Sequence, residues 1–308
     1  MQTIITILNS LPGAVAQGLI WGIMAIGVYL TYKILDIADL TVDGSMCTGG
    51  AVCVVLMMNG QSVETAIAGA VIAGMLTGLV TGILHTLMGI PPILSGILTQ
   101  LALYSVNLKI MGKANQALSF RNYDLAVSLQ YIRKMPLFEN TIFVVAIFVI
   151  VIIALLYWFF GTEYGCAMRA TGSNPKMSQA QGINTNLKVV TALMLSNGLV
   201  ALSGALLAQY QGFADVQMGR GAIVIGLAAV IIGGALFGKI FKNFALKLLG
   251  VALGSVVYYI VYQVVICVGL DPDLLKLLSS VVVAIFLAIP YWKKKFFSKA
   301  KKGGKVNA

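Results

Sequence analysis

Charge is what this chain has least of. Of its 308 residues only 10% are Asp, Glu, Lys or Arg, against 59% in the hydrophobic class. A soluble globular domain carries roughly 25% charged residues, and a surface built from this composition could not be wetted. The scarcity excludes disordered, collagen-like, nucleic-acid-binding and ordinary cytosolic-enzyme classes. A multi-span helical membrane protein remains, in keeping with a mean hydropathy of +0.94. Histidine is almost missing: His85 is the single one. Cys47, Cys53, Cys166 and Cys267 lie in or beside apolar runs, with no C-x-x-C pair. Metal clusters, disulfide frameworks and Ser-His-Asp or Cys-His catalytic sets are therefore not expected, and no cofactor or metal is assigned. The cysteines read as small buried hydrophobes. No basic stretch precedes the first apolar run and no small-residue cleavage site follows it, so no removable signal peptide is expected.

What the chain does have is a series of charge-free apolar stretches. They run over 12–32, 44–58, 65–84, 93–108, 141–160, 189–209, 222–237, 248–268 and 274–291. At about 20 residues per span this predicts an all-α polytopic transmembrane bundle of about nine spans, in a range of eight to ten, some of them broken. The run Thr3 to Leu11 is too short to span and reads as an interfacial helix. The whole chain, 1–308, reads as one membrane domain. It includes a polar loop at 161–187 and a basic tail at 292–308.

The net charge of +11 is a topology signal, because cytoplasmic loops are enriched in Lys and Arg. No acid follows Asp273, while Lys293, Lys294, Lys295, Lys299, Lys301, Lys302 and Lys305 crowd the C-terminus. That tail is expected in the cytoplasm. Counting back through the spans then places Lys239, Lys242, Lys247, Arg169, Lys176 and Lys188 inside, and Glu64, Asp215, Asp271 and Asp273 outside, together with the 113–140 segment. Arg121, Arg133 and Lys134 fall outside against the rule.

Small residues repeat every four positions at Gly74, Gly78 and Gly82, and again at Gly250 and Gly254. This spacing lets helices approach closely in lipid, within one subunit or between two. No span carries an Asp, Glu, Lys, Arg or His in its interior, which speaks against a proton relay. Gly233, Gly238 and Lys239 mimic a phosphate-binding loop, but Ile240 stands where a hydroxyl must meet magnesium. What is left is a passive channel, an ion-coupled carrier, or a membrane subunit driven by a separate ATPase.

The loop 161–187 carries its own start and stop signals. Ser173 or Asn174 can cap a helix beginning at Pro175, and Gly182 can end it after Gln181. Such a helix is too short and polar to span. It either plugs into a partner's groove or is a solvated connection.

The run Tyr164-Gly-Cys-Ala-Met-Arg-Ala-Thr-Gly-Ser-Asn-Pro-Lys-Met-Ser-Gln-Ala-Gln-Gly-Ile183 resembles the G-x-A-x-R-A-x-G-x-N-x-x-A-A-x-x-x-G-I loop of bacterial ABC-importer permeases of the branched-chain amino acid and ribose type. It departs at Met177 and Ser178, where alanines are usual. The stretch Leu35 to Ser45 is similar to the segment joining that family's first two conserved spans. Pro91 to Gly112 is most similar to a subgroup associated with tryptophan and tyrosine uptake. The resemblance implies a permease subunit, not an enzyme, in the bacterial plasma membrane. It implies a second copy of the chain, cytoplasmic ATPase subunits, an extracytoplasmic solute-binding protein and membrane lipid as partners, and no nucleic acid. It also implies an amino acid, aromatic by preference, as solute. Coupling to the ATPase falls to Arg169, Ala170, Gly172, Asn174, Pro175, Gln179, Ala180 and Gly182. The alternative is a stand-alone sodium-coupled carrier or channel for a small polar solute.

Polar faces point to a pathway. Gln100, Tyr104 and Asn107 share one helix face, as do Ser255, Tyr259 and Tyr262. Each set either lines a passage or bonds between helices. Asp36, Asp39 and Asp43 crowd one short link, and Asp43 is placed to cap the helix starting at Gly44. The link either borders the pathway or is a solvated loop. Asp271 and Asp273, stiffened by Pro272, are candidates for docking a binding protein.

Overall fold

The computed structural model of the chain describes residues 2–118, 123, 125–134 and 140–267, with helical positions 277, 280, 281, 284, 285 and 288 beyond. Among these residues the molecule is an all-helical bundle with one small β-ribbon. In chain order it comprises α1 (Gln2–Tyr29), a π-helical turn (Leu30–Ile34), α2 (Val42–Met58), α3 (Val63–Thr86), α4 (Pro92–Met111), β1 (Asn115–Ala117), α5 (Tyr131–Lys134), α6 (Thr141–Gly161), α7 (Glu163–Ser173), α8 (Pro175–Ala180), α9 (Thr185–Gln211), β2 (Phe213–Asp215), α10 (Ala222–Phe237) and α11 (Phe244–Cys267). Among the described residues, six helical stretches are long and apolar enough to cross a membrane: Ser10–Ile34, Val63–Thr86, Pro92–Met111, Thr141–Gly161, Thr185–Gln211 and Phe244–Cys267. Val42–Met58 and Ala222–Phe237 are apolar but shorter. These helices coincide with the first eight apolar stretches. Most of 274–291, the Asp271–Asp273 pair and the tail 292–308 lie outside the described residues.

Two expectations are corrected at the N-terminus. The run Thr3 to Leu11 is no separate interfacial helix, for α1 passes unbroken through Pro12. A proline removes only one hydrogen bond from a helix, and apolar surroundings hold the rest together. The first span also ends differently. Its last turn widens to π geometry, closed by Leu35 N–H on the Leu30 carbonyl at 3.2 Å. The chain then runs unwound through 35–41, with Asp36 at φ 57°.

The helix starts follow from side-chain caps. Ser62, Asn140, Thr162, Asn174 and Asn184 each accept a free backbone N–H at the start of α3, α6, α7, α8 and α9. The glycine stripes pack within the chain. A Cβ on Gly74 or Gly78 would collide with the α9 backbone at Asn197 and Leu193, and one on Gly82 would press on Val190. Gly254 meets the Ala229 carbonyl and Gly250 lies against Gly233, so that stripe joins α10 to α11.

Tertiary contacts sort the loops to two ends. β1 pairs antiparallel with β2, Asn115 opposite Asp215. Gln116 Nε2 reaches Met58 Sδ at 2.8 Å, so the end of α2 sits at the same pole. At the other pole Lys33, Arg169, Lys242 and Lys247 line one cavity. The grouping follows the loop parity read from the charges.

Candidate translocation site

Two helices of the bundle begin inside it. α2 starts at Val42, after the unwound segment, and α10 starts at Ala222, after the turn that follows β2. A helix start leaves free N–H groups, which must find partners where water is scarce. Gly221, at φ 86°, precedes α10 and offers no side-chain cap. Asp43 supplies it from the first turn of α2: its Oδ2 accepts from Gly221 N–H at 2.9 Å and its Oδ1 from Ile223 N–H at 3.0 Å. The expected cap on the helix starting at Gly44 is thus corrected. Asp43 lies within α2, one residue after its first, and its carboxylate meets the positive end of α10. Nearby, Gly219 N–H donates to Cys47 Sγ at 3.1 Å.

Beside this junction lies a cavity of about 250 Å³. α2 gives it Asp43, Gly44 and Cys47, α4 gives it Gln100, Leu101, Tyr104 and Asn107, and the turn before α10 gives it Val216, Gln217 and Arg220. The structure therefore brings Asp43 of α2 together with Gln100, Tyr104 and Asn107, which share one face of α4. It adds Arg220 and Gln217, loop residues that no helical periodicity could single out. Tyr104 is exposed, whereas Asn107 is 1% exposed. Asn107 Nδ2 makes a long contact, 3.5 Å, with the Gly44 carbonyl. Its Oδ1 is buried without a partner, which leaves an acceptor at the cavity wall.

The second polar face does not join this cavity. Ser255 and Tyr259 are buried where α11 packs on α1. Tyr259 lies 5.7 Å from Trp21, centroid to centroid, and meets Tyr258 and the half-buried Tyr262 edge to face. Close packing explains this: Gly18 and Gly22 on α1 bring the α11 backbone almost into contact at Val256 and Ala252.

A buried polar network escaped the sequence reading. Asp39 is 2% exposed, so the acidic link is no solvated loop throughout, although Asp36 is exposed. Asp39 accepts from Thr41 N–H at 2.9 Å and from Asn197 Nδ2 at 2.7 Å. Ser45 donates to Asn197 Oδ1 at 2.6 Å and meets Thr77 at 2.7 Å. Thr41, Thr81 and Thr99 continue the chain of hydroxyls across α3 and α4. The signal was present: Thr41 and Ser45, Thr77 and Thr81, and Ser95 and Thr99 are hydroxyl pairs four residues apart, each on one helix face.

The loop 161–187 is more ordered than a polar connection. It folds as two helices, α7 and α8. The first was not expected. Thr162 caps it, accepting from Gly165 N–H at 3.3 Å. α8 begins at Pro175 with Asn174 Oδ1 accepting from Met177 N–H at 3.1 Å, and ends before Gly182, at φ 79°. Gln179 Nε2 ties α8 to Thr185 on α9 at 2.9 Å. Gly172 lies so close to the Ile34 carbonyl that no Cβ fits, which anchors α7 to the π turn of α1. Arg169 donates to Cys166 Sγ at 3.2 Å. Cys166 is exposed, contrary to the reading of all four cysteines as buried; Cys47 and Cys53 are buried. Ala170, Lys176, Met177, Gln179 and Ala180 face outward. Ser178, where the family pattern has alanine, is buried and donates to the Asn174 carbonyl. The stretch resembling a phosphate-binding loop is helical from Gly233 to Phe237. His85 stands in the last turn of α3, its Nδ1 2.8 Å from the Ile90 carbonyl.

Comparison with known proteins places this architecture. The family described as "Branched-chain amino acid transport system / permease component" matches residues 11–289. A tyrosine transport system permease protein of Clostridioides difficile is 39% identical over 91% of this chain and 91% of its own. An uncharacterized protein of Rickettsia prowazekii is 34% identical over 91% of this chain and 98% of its own. A galactofuranose transporter permease protein of Escherichia coli is 26% identical over 91% and 78%. No solved structure matches the chain significantly. With a family match across nearly its whole length, the chain belongs to the branched-chain amino acid transport permeases.

Proposed function

We propose that the chain is the membrane-spanning subunit of a binding-protein-dependent ABC importer for an aromatic amino acid. The observation that carries this reading is the 39% identity to a tyrosine transport permease over 91% of both chains. The galactofuranose transporter permease is more distant, at 26%. In this reading residues 1–308 form one domain of about nine spans in the bacterial plasma membrane, with the C-terminus in the cytoplasm. Two copies pair about a two-fold axis that carries the pathway. Asp43, Gln100, Tyr104 and Asn107 contact the solute, with Ser255, Tyr259 and Tyr262 as supporting residues of α11. Asp271 and Asp273 meet the binding protein outside.

The chain itself hydrolyses nothing. Motion must reach it from a separate ATPase, and a force needs a stiff connector held at both ends. The α7–α8 pair supports that role: it is capped at Thr162 and Asn174, tied to α9 by Gln179 and seated on α1 by Gly172. Its outward residues Ala170, Gln179 and Ala180 offer the docking surface, and Arg169, Pro175 and Gly182 shape it. The test is reconstitution in liposomes with the ATPase and binding protein. Tyrosine uptake requiring both partners is expected. Uptake by this chain alone would overturn the reading in favour of a stand-alone carrier.

A further inference from the structure

At the pole opposite the β-ribbon, a cavity of about 1060 Å³ opens between the end of α1, the α6–α7 junction and the start of α11. Lys33, Arg169, Lys242 and Lys247 line it, and among the described residues no carboxylate does. A second cavity of about 550 Å³ runs along α10 and α11, floored by Gly233, Gly234 and Gly250 and walled by apolar side chains. The two share Tyr29, Lys33 and Lys247. A basic chamber thus leads into an apolar slot. Around the chamber Tyr32, Tyr157 and Trp158 are exposed, Trp158 to 71%. Such aromatics gather at the headgroup level of a bilayer.

We propose that this pair of cavities binds an anionic phospholipid. Its phosphate lies among the four cations of the chamber, and one acyl chain lies in the slot between α10 and α11. A soluble phosphate would use the chamber and leave the slot empty. A neutral lipid would use the slot and leave the cations unpaired. Only an amphiphile with a negative head satisfies both. The shape of the slot depends on glycine. Gly233 packs on the Gly250 carbonyl and cannot grow, but a Cβ on Gly234 meets nothing within 4 Å. A larger side chain at 234 therefore enters the slot without displacing protein atoms.

The test is native mass spectrometry of the full chain, purified in mild detergent and offered phosphatidylglycerol or zwitterionic phosphatidylethanolamine. The wild type is expected to retain phosphatidylglycerol preferentially. The double variant Lys33→Ala/Lys247→Ala should weaken that binding by about tenfold or more, since each cation near a membrane surface contributes on the order of a fivefold factor. Gly234→Leu should weaken it too, with an unchanged thermal unfolding curve; should it not fold, the unbranched Gly234→Met takes its place. Equal retention of both lipids, or full phosphatidylglycerol binding by the slot-filled variant, overturns the proposal. So does a lysine double variant that keeps its lipid but no longer binds the ATPase, which would assign the chamber to a protein surface.

Discussion

Two backbone N–H groups, of Gly221 and Ile223, converge on the carboxylate of Asp43. A hydrogen bond to a charged group is worth about 1.5–3 kcal/mol, and an unmet buried donor costs a similar amount. Asp43→Ala is therefore expected to destabilise the chain by roughly 2–4 kcal/mol. Asp43→Asn, with one acceptor and no charge, should fall between. Unfolding in detergent, followed by circular dichroism, checks the order of the three proteins. Asn107 behaves in the opposite way. Its Oδ1 already stands buried without a partner, so the native fold carries that cost of about 1–3 kcal/mol. Asn107→Leu keeps the branch at Cγ, adds volume toward the adjoining cavity and removes the orphan acceptor. We expect unfolding at an equal or higher temperature, together with weaker solute uptake if the acceptor serves the solute. Lower stability with normal uptake would show that Asn107 is a packing residue only.

Helices were legible in the sequence wherever apolar length alone decided them. The stretch 222–237 and the helix Ala222–Phe237 agree end to end, because Gly221 and Gly238 break the apolar run at both sides. α8 was legible because its cap, proline and glycine are local signals. α7 was missed because its pattern, Glu-Tyr-Gly-Cys-Ala-Met-Arg, has no long apolar stripe, and its stability comes from packing Gly165, Met168 and Thr171 inward. The candidate site was half legible. The α4 face showed at helical spacing, whereas the partnership of Asp43 with Gly221 joins residues 178 apart in sequence, which no local pattern encodes. The buried Asp39 was hidden for the same reason: its partner Asn197 is 158 residues away. At this scale the sharpest test is Gly182. Its φ of 79° lies in the left-handed region, where a β-branched residue costs about 1–3 kcal/mol of local strain. Gly182→Val should leave membrane insertion intact, since nothing crowds the position, yet lower stability by that strain and misdirect α8. In a complex with the ATPase and binding protein it is expected to lower substrate-stimulated ATP hydrolysis several-fold, while the basal rate persists. Undiminished stimulation would separate α8 from coupling.

The molecule as a whole is organised by its two poles, and the cysteines happen to mark them. Cys47 and Cys53 are buried, so a membrane-impermeant maleimide should not reach them from either side. Cys166 is exposed on α7, at the pole of Lys33, Arg169, Lys242 and Lys247. Cys267 ends α11 and lies half-buried, its Sγ 3.5 Å from Ser10 Oγ on α1. The proposed orientation, taken from the excess of Lys and Arg, puts the Cys166 pole in the cytoplasm, the side on which the proposed coupling by the α7–α8 pair requires it. Both lines rest on one orientation, and a single measurement decides it. In a Cys267→Ser background, intact cells treated with the impermeant reagent should leave the protein unlabelled, and inside-out vesicles should label it at one site. Prior unfolding in detergent should expose Cys47 and Cys53 as well, which shows that their protection comes from the fold. Labelling of Cys166 in intact cells would invert the bundle. It would set the basic pole against the charge rule, put the α7–α8 surface out of reach of any cytoplasmic partner, and leave Asp215 and the β-ribbon, not the lysine-lined chamber, facing the cytoplasm.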